Sequence, residues 1–208
     1  MVIIILQVAG GLVFAVATLV LGAYLRRHPS KEQAEKTSRI SHGFYWLALA
    51  LPSIVAVFYP GLTRLDEILD IPSLPWRPVT LALGAVVVLA GVYLMFAAIG
   101  SLRRLGEGTN AFVLTKKVVT SSVYARTRNP MSLGYYLLCL GLGLLAGSTY
   151  VMIATLFGIV PMHMFNLIYF EEYELALRLG PSYLAYKERV PLLFPKLGPL
   201  ESPTADAQ

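Results

Sequence analysis

The residues of this chain that could bind or transform a ligand fall into two stretches, one on either side of a long run without charge. The first is Arg128-Asn129-Pro130. Pro130 suits the first turn of a helix, and it pushes Asn129 toward an extended backbone. A helix N-terminus attracts an anionic group, and the Arg128 guanidinium could hold a carboxylate in a bidentate fork. Alternatively, this is a plain entry into a helix, with Arg128 extended toward water.

The second stretch combines acidic, aromatic and basic side chains, namely Glu171, Glu172, Tyr183, Tyr186, Lys187 and Arg189. One carboxylate could accept hydrogen bonds from ribose hydroxyls or neutralise a cationic ligand. The acidic pair could equally mark the point where a helix leaves a bilayer. The tyrosines and cations are typical of interfacial anchors, but they also suit a pocket wall with charge-assisted donors. Glu174 precedes Arg178 by four residues, a spacing that predicts a solvated pair on one helix.

Two further polar residues, His163 and Asn166, lie one turn apart inside the apolar run, just after a proline that can kink a helix. Polar side chains at that depth face a neighbouring helix or a cavity, and both possibilities stay open. Gly141-Leu-Gly143 lacks the preceding strand of a dinucleotide-binding loop, so we interpret these glycines as helix-packing positions. The histidines are scattered without metal-ligand spacing, and we expect no metal site.

The elements that must position these residues are membrane helices. Of the 208 residues, 56% are hydrophobic and 14% are charged, whereas about a quarter of a soluble domain is charged. The net charge of +5 does not indicate nucleic acid as a partner, because the basic residues lie in short loops between apolar runs. The single cysteine, Cys139, excludes a disulfide within the chain.

Charge-free runs predict an all-α, polytopic membrane helix bundle of about five transmembrane helices. The runs cover residues 1–25, 40–63, 79–102 and a hairpin within 129–170 that turns at 147–149. The sequence also predicts an interfacial helical turn within 65–78. In the third run, Gly84 and Gly91 could let a neighbouring helix approach closely.

The basic residues predict the orientation of the bundle. Lys and Arg in the four successive loops and the tail number 5, 2, 6, 0 and 4. Basic loops stay on the cytoplasmic side, so the N-terminus is predicted outside and a helical C-terminal tail in the cytoplasm. The loop at 103–129 and the tail then share one membrane face, which brings the two chemical stretches together.

Both stretches resemble motifs of the isoprenylcysteine carboxyl methyltransferase and phospholipid methyltransferase superfamily of integral membrane enzymes. The family's loop reads V-T-x-G-P-Y-x-x-x-R-[HN]-P-x-Y-x-G, and its matches here are Val119-Thr120, Tyr124, Arg128-Asn129-Pro130 and Gly134. The family then has an E-E pair and F-G-x-x-Y-x-x-Y-x-x-x-V-P, matched by Glu171-Glu172, Leu179-Gly180, Tyr183, Tyr186 and Val190-Pro191. The segment from Leu105 to Thr109 resembles the glycine segment that opens the family's loop.

The resemblance covers about residues 100–196 and departs from the family at three places. Ser132 stands where a tyrosine is usual, Ser122-Val123 replaces Gly-Pro, and Leu192 replaces an arginine that commonly follows Val-Pro. The first two spans carry no matching motif. The resemblance therefore supports a methyl-donor site more firmly than it supports any acceptor.

The resemblance implies an enzyme that transfers the methyl group of S-adenosylmethionine to a lipophilic or membrane-associated acceptor. The acceptor could be an isoprenylcysteine-like carboxylate, a phospholipid-like amine or a small thiol. The implied donor-binding residues are Tyr124, Arg128, Asn129, Pro130, Gly134, Glu171, Glu172, Tyr183 and Tyr186. We expect Glu171 and Arg189 to act in catalysis, with Arg189 in place of the arginine that Leu192 replaces.

We expect residues 1–208 to form one integral membrane domain. It comprises N-terminal spans at 1–100, a methyltransferase-like core with the cofactor site at 101–196, and a disordered tail at 197–208. The expected partners are a lipophilic or lipid substrate and membrane lipids, with the oligomeric state open. The expected location is a prokaryotic inner membrane, with the active site facing the cytoplasm. A membrane sterol or enone reductase using NADPH, and a scaffold without activity, are the alternatives.

Overall fold

The computed structural model describes residues 1–108 and 113–196. This part of the chain is all-helical and contains no strand, which confirms the predicted all-α fold. Its helices are α1 Val2–Arg27, α2 Lys31–Leu69, α3 Arg77–Leu105, α4 Pro130–Ala146, α5 Thr149–Leu179 and α6 Pro181–Arg189. A short 3-10 turn at Ser122–Ala125 lies in the loop between α3 and α4.

Four of these helices, α1, α2, α3 and α5, are long and apolar enough to cross a membrane. Helix α4 corresponds to the remaining predicted span, but it has only 17 residues. At 1.5 Å per residue it is about 26 Å long, shorter than the ~30 Å hydrocarbon core of a bilayer. The five predicted spans thus correspond to four helices of spanning length and one shorter apolar helix.

The polar stretch before the second span is helical, which corrects the prediction of a loop there. Helix α2 begins at Lys31, where the Ser30 hydroxyl caps it by accepting a hydrogen bond from the Gln33 backbone N–H at 3.2 Å. Small side chains on one face of this first segment, Ala34, Thr37, Ser38 and Ser41, are buried against the bundle. The second predicted span is therefore part of a longer helix, because an amphipathic helical segment precedes its apolar run.

Prolines and wide helical turns shape the two longest helices. In α2, Pro52 follows a π-helical turn at Tyr45–Ala50, and in α5, Pro161 follows one at Ala154–Ile159. A proline has no N–H to donate to the preceding turn, so the hydrogen-bond ladder widens locally. A further π-helical turn at Leu167–Glu171 sets the directions of Glu171 and Glu172.

Helix α2 ends beyond a break at Tyr59, whose backbone is extended (φ −150°, ψ 122°). The helical segment Leu62–Leu69 that follows overlaps the helical turn predicted within 65–78, and the interfacial position of that turn stays a prediction. Its buried Asp66 accepts hydrogen bonds from the backbone N–H groups of Thr149 (3.1 Å) and Tyr150 (2.7 Å). A carboxylate on α2 therefore satisfies the first free donors of α5, which ties the two helices together at this end.

Helices α3 and α4 pack with their backbones in contact along a line of glycines. A Cβ atom built on Gly91 would lie 2.7 Å from the Gly134 carbonyl oxygen, and one on Gly84 would lie 2.8 Å from the Leu145 nitrogen. On α4, a Cβ atom on Gly141 would lie 2.8 Å from the Val88 nitrogen. The predicted close approach at Gly84 and Gly91 is confirmed, and it fixes the N-terminus of α4 beside α3.

Candidate active site

The loop before α4 and the segment after α6 are held together by hydrogen bonds that the backbone carbonyls of the segment accept. The Arg128 N–H donates to the Pro191 carbonyl at 2.9 Å, and the Asn129 side-chain amide donates to the Leu192 carbonyl at 3.1 Å. The Thr127 hydroxyl donates to the same Leu192 carbonyl at 3.3 Å. The two chemical stretches of the sequence therefore form one structure, and Leu192 contributes its backbone to it.

Glu172 is the centre of the charged part of this structure. Both of its carboxylate oxygens lie 2.6 Å from one terminal nitrogen of Arg128, and the two side chains are only 9% and 10% exposed. The Tyr183 hydroxyl donates to Oε1 at 2.7 Å, and Lys187 Nζ lies 2.8 Å from Oε2. Burial and the nearby Glu172 carboxylate raise the pKa of Tyr183, so its hydroxyl keeps the proton that it donates.

This arrangement places Arg128 differently from the sequence hypothesis of a fork around a ligand. Its terminal nitrogen is engaged by Glu172 of the chain itself. Its Nε is buried and has no hydrogen-bond partner among the described residues. A buried donor without a hydrogen-bond partner lowers the stability of the fold. A hydrogen-bond acceptor of a bound ligand would therefore fit at the Arg128 Nε.

Two tyrosines complete the wall between the loop and the tail. The Tyr186 hydroxyl donates to the backbone carbonyl of Tyr124 at 2.7 Å, and both rings are buried. Burial raises the pKa of both tyrosines, so they are neutral at physiological pH. The Tyr183 and Tyr186 rings lie 6.2 Å apart, and together they present an aromatic surface next to Glu172 and its partner Arg128.

These side chains surround a cavity of about 370 Å³, within the size range of small-molecule sites. Its polar lining includes Ser41, His42, Arg128, Asn129, Ser132, His163, Asn166, Glu171, Glu174 and Arg178. Its apolar lining includes Trp46, Ala50, Ile54, Met95, Leu102 and Leu138, which come from α2, α3 and α4. The cavity is thus amphiphilic, with charge near the loop and tail and apolar side chains between the helices.

The two neighbouring glutamates point to different environments. Glu171 lines the cavity, and in the described part of the chain no hydrogen bond or ion pair holds its carboxylate. Glu172 lies outside the cavity lining and is held by three partners. Glu171 is therefore the carboxylate that a ligand in the cavity can reach, and Glu172 is the one that holds Arg128 in place.

The predicted Glu174–Arg178 pair exists, but it is buried rather than solvated, which corrects the sequence interpretation. Arg178 Nε lies 2.6 Å from Glu174 Oε1, and the two side chains are 6% and 1% exposed. Arg178 also donates to the Thr115 carbonyl in the loop before α4. The pair is buried because α2 and the loop at 113–119 cover this face of α5, and residue spacing alone does not reveal that cover.

Of the residues that the sequence predicted for the donor site, six line the cavity: Tyr124, Arg128, Asn129, Glu171, Tyr183 and Tyr186. Pro130 is the buried first residue of α4, and Gly134 faces Gly91 on α3. Arg189 is exposed, and its Nε donates to the Ala185 carbonyl at 3.2 Å, so its role stays a prediction. Thr109 and the tail at 197–208 lie outside the described residues.

The cavity also contains residues that sequence motifs did not identify. Helix α2 contributes Ser38, Ser41, His42 and Tyr45, although the first two spans match no family motif. Asn166 on α5 lines the cavity, and it also donates to Thr18 Oγ1 (3.0 Å) and Ser41 Oγ (3.1 Å). It therefore faces both a cavity and neighbouring helices, the two possibilities that the sequence left open. The recurrence of polar residues at one-turn spacing along α2 is the signal that could have found them.

Comparison with known proteins gives a family and no individual relative. The phospholipid methyltransferase family matches residues 79–178, from the start of α3 to the Arg178 of the buried ion pair. No curated protein and no solved structure matches the chain. The family consists of membrane methyltransferases that act on lipid-like substrates. Residues 79–178 thus carry a phospholipid methyltransferase domain, which confirms the resemblance to the isoprenylcysteine and phospholipid methyltransferase superfamily.

Proposed function

We propose that this protein transfers the methyl group of S-adenosylmethionine to a lipophilic or membrane-associated acceptor at the cytoplasmic face of a membrane. The acceptor is an isoprenylcysteine-like carboxylate or a phospholipid-like amine. The observation that carries the proposal is an amphiphilic cavity, which joins a charged, aromatic end to an apolar space between helices. A polar donor and an apolar acceptor need such a shared space.

The charged end has the donor and acceptor groups that S-adenosylmethionine requires. The Glu171 carboxylate, which no other described residue holds by a hydrogen bond or an ion pair, can accept hydrogen bonds from ribose hydroxyls or face the sulfonium charge. The Arg128 Nε, which has no partner within residues 1–108 and 113–196, can donate to the carboxylate of the methionine moiety. Tyr124, Tyr183 and Tyr186 offer aromatic walls for the adenine ring.

The apolar end suits an acceptor that enters from the bilayer. Ala50 and Ile54 on α2, Met95 on α3 and Leu138 on α4 border this part of the cavity. Of these helices, α2 and α3 are long and apolar enough to cross a membrane, and α4 is a shorter apolar helix. An acyl or prenyl chain lying between them would bring its polar head toward Glu171 and Arg128.

The chemistry in this proposal depends mainly on alignment. When bound, S-adenosylmethionine supplies a methyl group on a sulfonium, which a nucleophile displaces in line. Holding the two reactants at contact distance can supply much of the rate enhancement without any further reagent. Hydrogen bonds hold residues 190–196 against the loop at the charged end, and closure of this tail over a bound donor would exclude water from it.

Ligand-dependent stability tests the proposal against the reductase alternative. The detergent-purified protein is heated with S-adenosylmethionine, with its demethylated product S-adenosylhomocysteine, or with NADPH. We expect either adenosyl compound to raise the melting temperature, with a gain of about 2.7 kcal/mol at 100 times its Kd, and NADPH to have no effect. Stabilisation by NADPH alone would favour a reductase, and no effect of any donor would favour an inactive scaffold.

For Arg189 we retain the proposal of a contact with an anionic group of the acceptor, such as a lipid phosphate at the bilayer surface. The side chain is exposed at the end of α6, beyond the cavity wall. Arg189→Ala should lower turnover with little change in donor affinity, and Arg189→Lys should recover only part, because lysine lacks the planar fork. Full turnover in Arg189→Ala would remove this role.

A further inference from the structure

The proposed donor site leaves one well-placed cavity residue unused, His42 on α2. It lies outside the matched segment 79–178, yet it lines the same cavity as Glu171. Its Nδ1 lies 2.8 Å from the Ser38 carbonyl oxygen. A carbonyl oxygen only accepts hydrogen bonds, so Nδ1 carries the proton and the neutral ring presents a lone pair at Nε2. Within residues 1–108 and 113–196, no hydrogen bond occupies Nε2.

The turn of α2 that carries His42 is held by hydrogen bonds that join three helices. Next to His42, Ser41 accepts a hydrogen bond from Asn166 on α5, and Asn166 also donates to Thr18 on α1. All three of these side chains are buried. A buried, satisfied network of this kind holds its members in one geometry, so it fixes the turn of α2 next to His42, and the Nδ1 contact with Ser38 orients the ring on that turn.

The charged groups near His42 form an ion pair with each other. Glu174 and Arg178 on α5 face it, and they form the buried ion pair at 2.6 Å. His163 on α5 also lies near, but its Nδ1 is 3.0 Å from the Tyr136 hydroxyl. His42 is therefore a neutral nitrogen base beside a closed ion pair, next to the space where an acceptor would meet the donor.

We propose that His42 Nε2 is the base that removes a proton from the methyl acceptor, so that the acceptor is an N–H, O–H or S–H group rather than a carboxylate. This inference rests on the proposed function and removes the carboxylate from its acceptors. It also gives the second span, which lies before the matched segment 79–178, a direct part in the reaction.

The proposed step balances in atoms and charge. The acceptor's lone pair forms a bond to the methyl carbon while the carbon–sulfur bond breaks, and that electron pair stays on sulfur, which becomes a neutral thioether. The acceptor's proton passes to His42 Nε2, and the resulting imidazolium gives it to water before the next turnover. A carboxylate acceptor would lose no proton in becoming an ester, and it would need no base.

The test uses S-adenosylmethionine with a tritium-labelled methyl group and a total membrane lipid extract. Wild type, His42→Gln, His42→Ala and His28→Gln are compared, since His28 is an exposed histidine outside the cavity and serves as the matched control. Alkali treatment of the labelled lipid separates the products, because methyl esters release methanol whereas N-, O- and S-methyl groups stay attached. S-adenosylhomocysteine affinity is measured for every variant.

We expect an alkali-stable product, and turnover about 100-fold or more lower in His42→Gln with unchanged S-adenosylhomocysteine affinity, as for loss of a general base. Added imidazole should restore part of the turnover of His42→Ala, which a purely structural histidine would not allow. Label released by alkali, full turnover in His42→Gln, or a loss that imidazole cannot rescue would overturn the role of His42. Wild type that binds no S-adenosylhomocysteine would instead refute the proposed function itself.

Discussion

At the residue scale, the arrangement of the site depends on one buried carboxylate. Glu172 on α5 holds Arg128 of the loop together with Tyr183 and Lys187 of α6. The sequence predicted that Arg128 and the acidic pair would meet, because both flank the hairpin on one membrane face. It could not predict which glutamate Arg128 binds, since that depends on the turn at Leu167–Glu171.

The partners of Glu172 should contribute unequally to stability. Arg128→Ala leaves a buried carboxylate with less compensation, and breaking a buried pair costs about 3 kcal/mol or more. Lys187 is 43% exposed, so Lys187→Ala should cost about 1 kcal/mol or less. Denaturant titration of the detergent-purified variants measures both free energies of unfolding. Equal losses would show that burial does not decide the strength of these contacts.

Three buried tyrosines outside the membrane spans predict a fall in stability at high pH. Burial raises the pKa of Tyr124, Tyr183 and Tyr186 in the fold, whereas an unfolded tyrosine titrates near pH 10. Above that pH the unfolded chain loses protons that the fold retains, so the free energy of unfolding decreases as pH rises. Tyr183→Phe should make this decrease shallower, whereas Tyr59→Phe, at a ring 76% exposed, should leave it unchanged.

At the element scale, the helices were largely predictable because a bilayer demands long charge-free segments. The runs ending near residues 25, 102 and 170 recur in α1, α3 and α5. The beginning of α2 was not predictable in this way, because a polar helix in front of a span has the composition of a loop. One face of this polar segment is buried because α1 and α5 pack against it, and the sequence alone does not show that packing.

The contact between α3 and α4 gives an element-scale prediction. A methyl group on Gly91 would meet the Gly134 carbonyl oxygen at 2.7 Å, so Gly91→Ala must push the helices apart. Overpacking of this kind costs about 1–3 kcal/mol. Gly100→Ala in the same helix is the control, because nothing lies within 4 Å of its new methyl group.

Thermal unfolding in detergent compares these two glycine variants. We expect a lower melting temperature for Gly91→Ala, and for Gly100→Ala a melting temperature equal to or above that of wild type, because alanine favours a helix over glycine. Equal melting temperatures in both variants would mean that the backbones of α3 and α4 do not touch.

At the scale of the whole molecule, the orientation in the membrane remains a prediction from the basic residues. Single cysteines at Ser73 and Ser182, introduced after Cys139→Ala removes the only native cysteine, report on the two ends of the bundle. Both positions are exposed, and Ser182 lies in α6. An impermeant thiol reagent added outside intact cells should label Ser73→Cys and leave Ser182→Cys unlabelled. The reverse pattern would place the loop and tail that form the charged end of the cavity on the outer face.

The composition of the cavity is the whole-molecule feature that the sequence revealed least. Motifs identified its loop and tail, because those residues carry the family pattern. The contribution of α2 depends on how the N-terminal spans pack against α5, and the one-turn spacing of its polar residues does not by itself show that they line a cavity. The network of Thr18, Ser41 and Asn166 joins positions up to 148 residues apart, so only the folded chain shows it.

The most direct test of the central claim is the affinity of S-adenosylhomocysteine, measured by titration calorimetry in detergent. Wild type should bind one equivalent. Glu171→Gln should bind more weakly by about 1.5–3 kcal/mol, because the charged acceptor of the cavity is lost. Glu188→Gln, the same change at an exposed glutamate on α6, should bind like wild type. Equal affinity in wild type and Glu171→Gln, or no binding in wild type, would contradict the assignment of this cavity to a methyl donor.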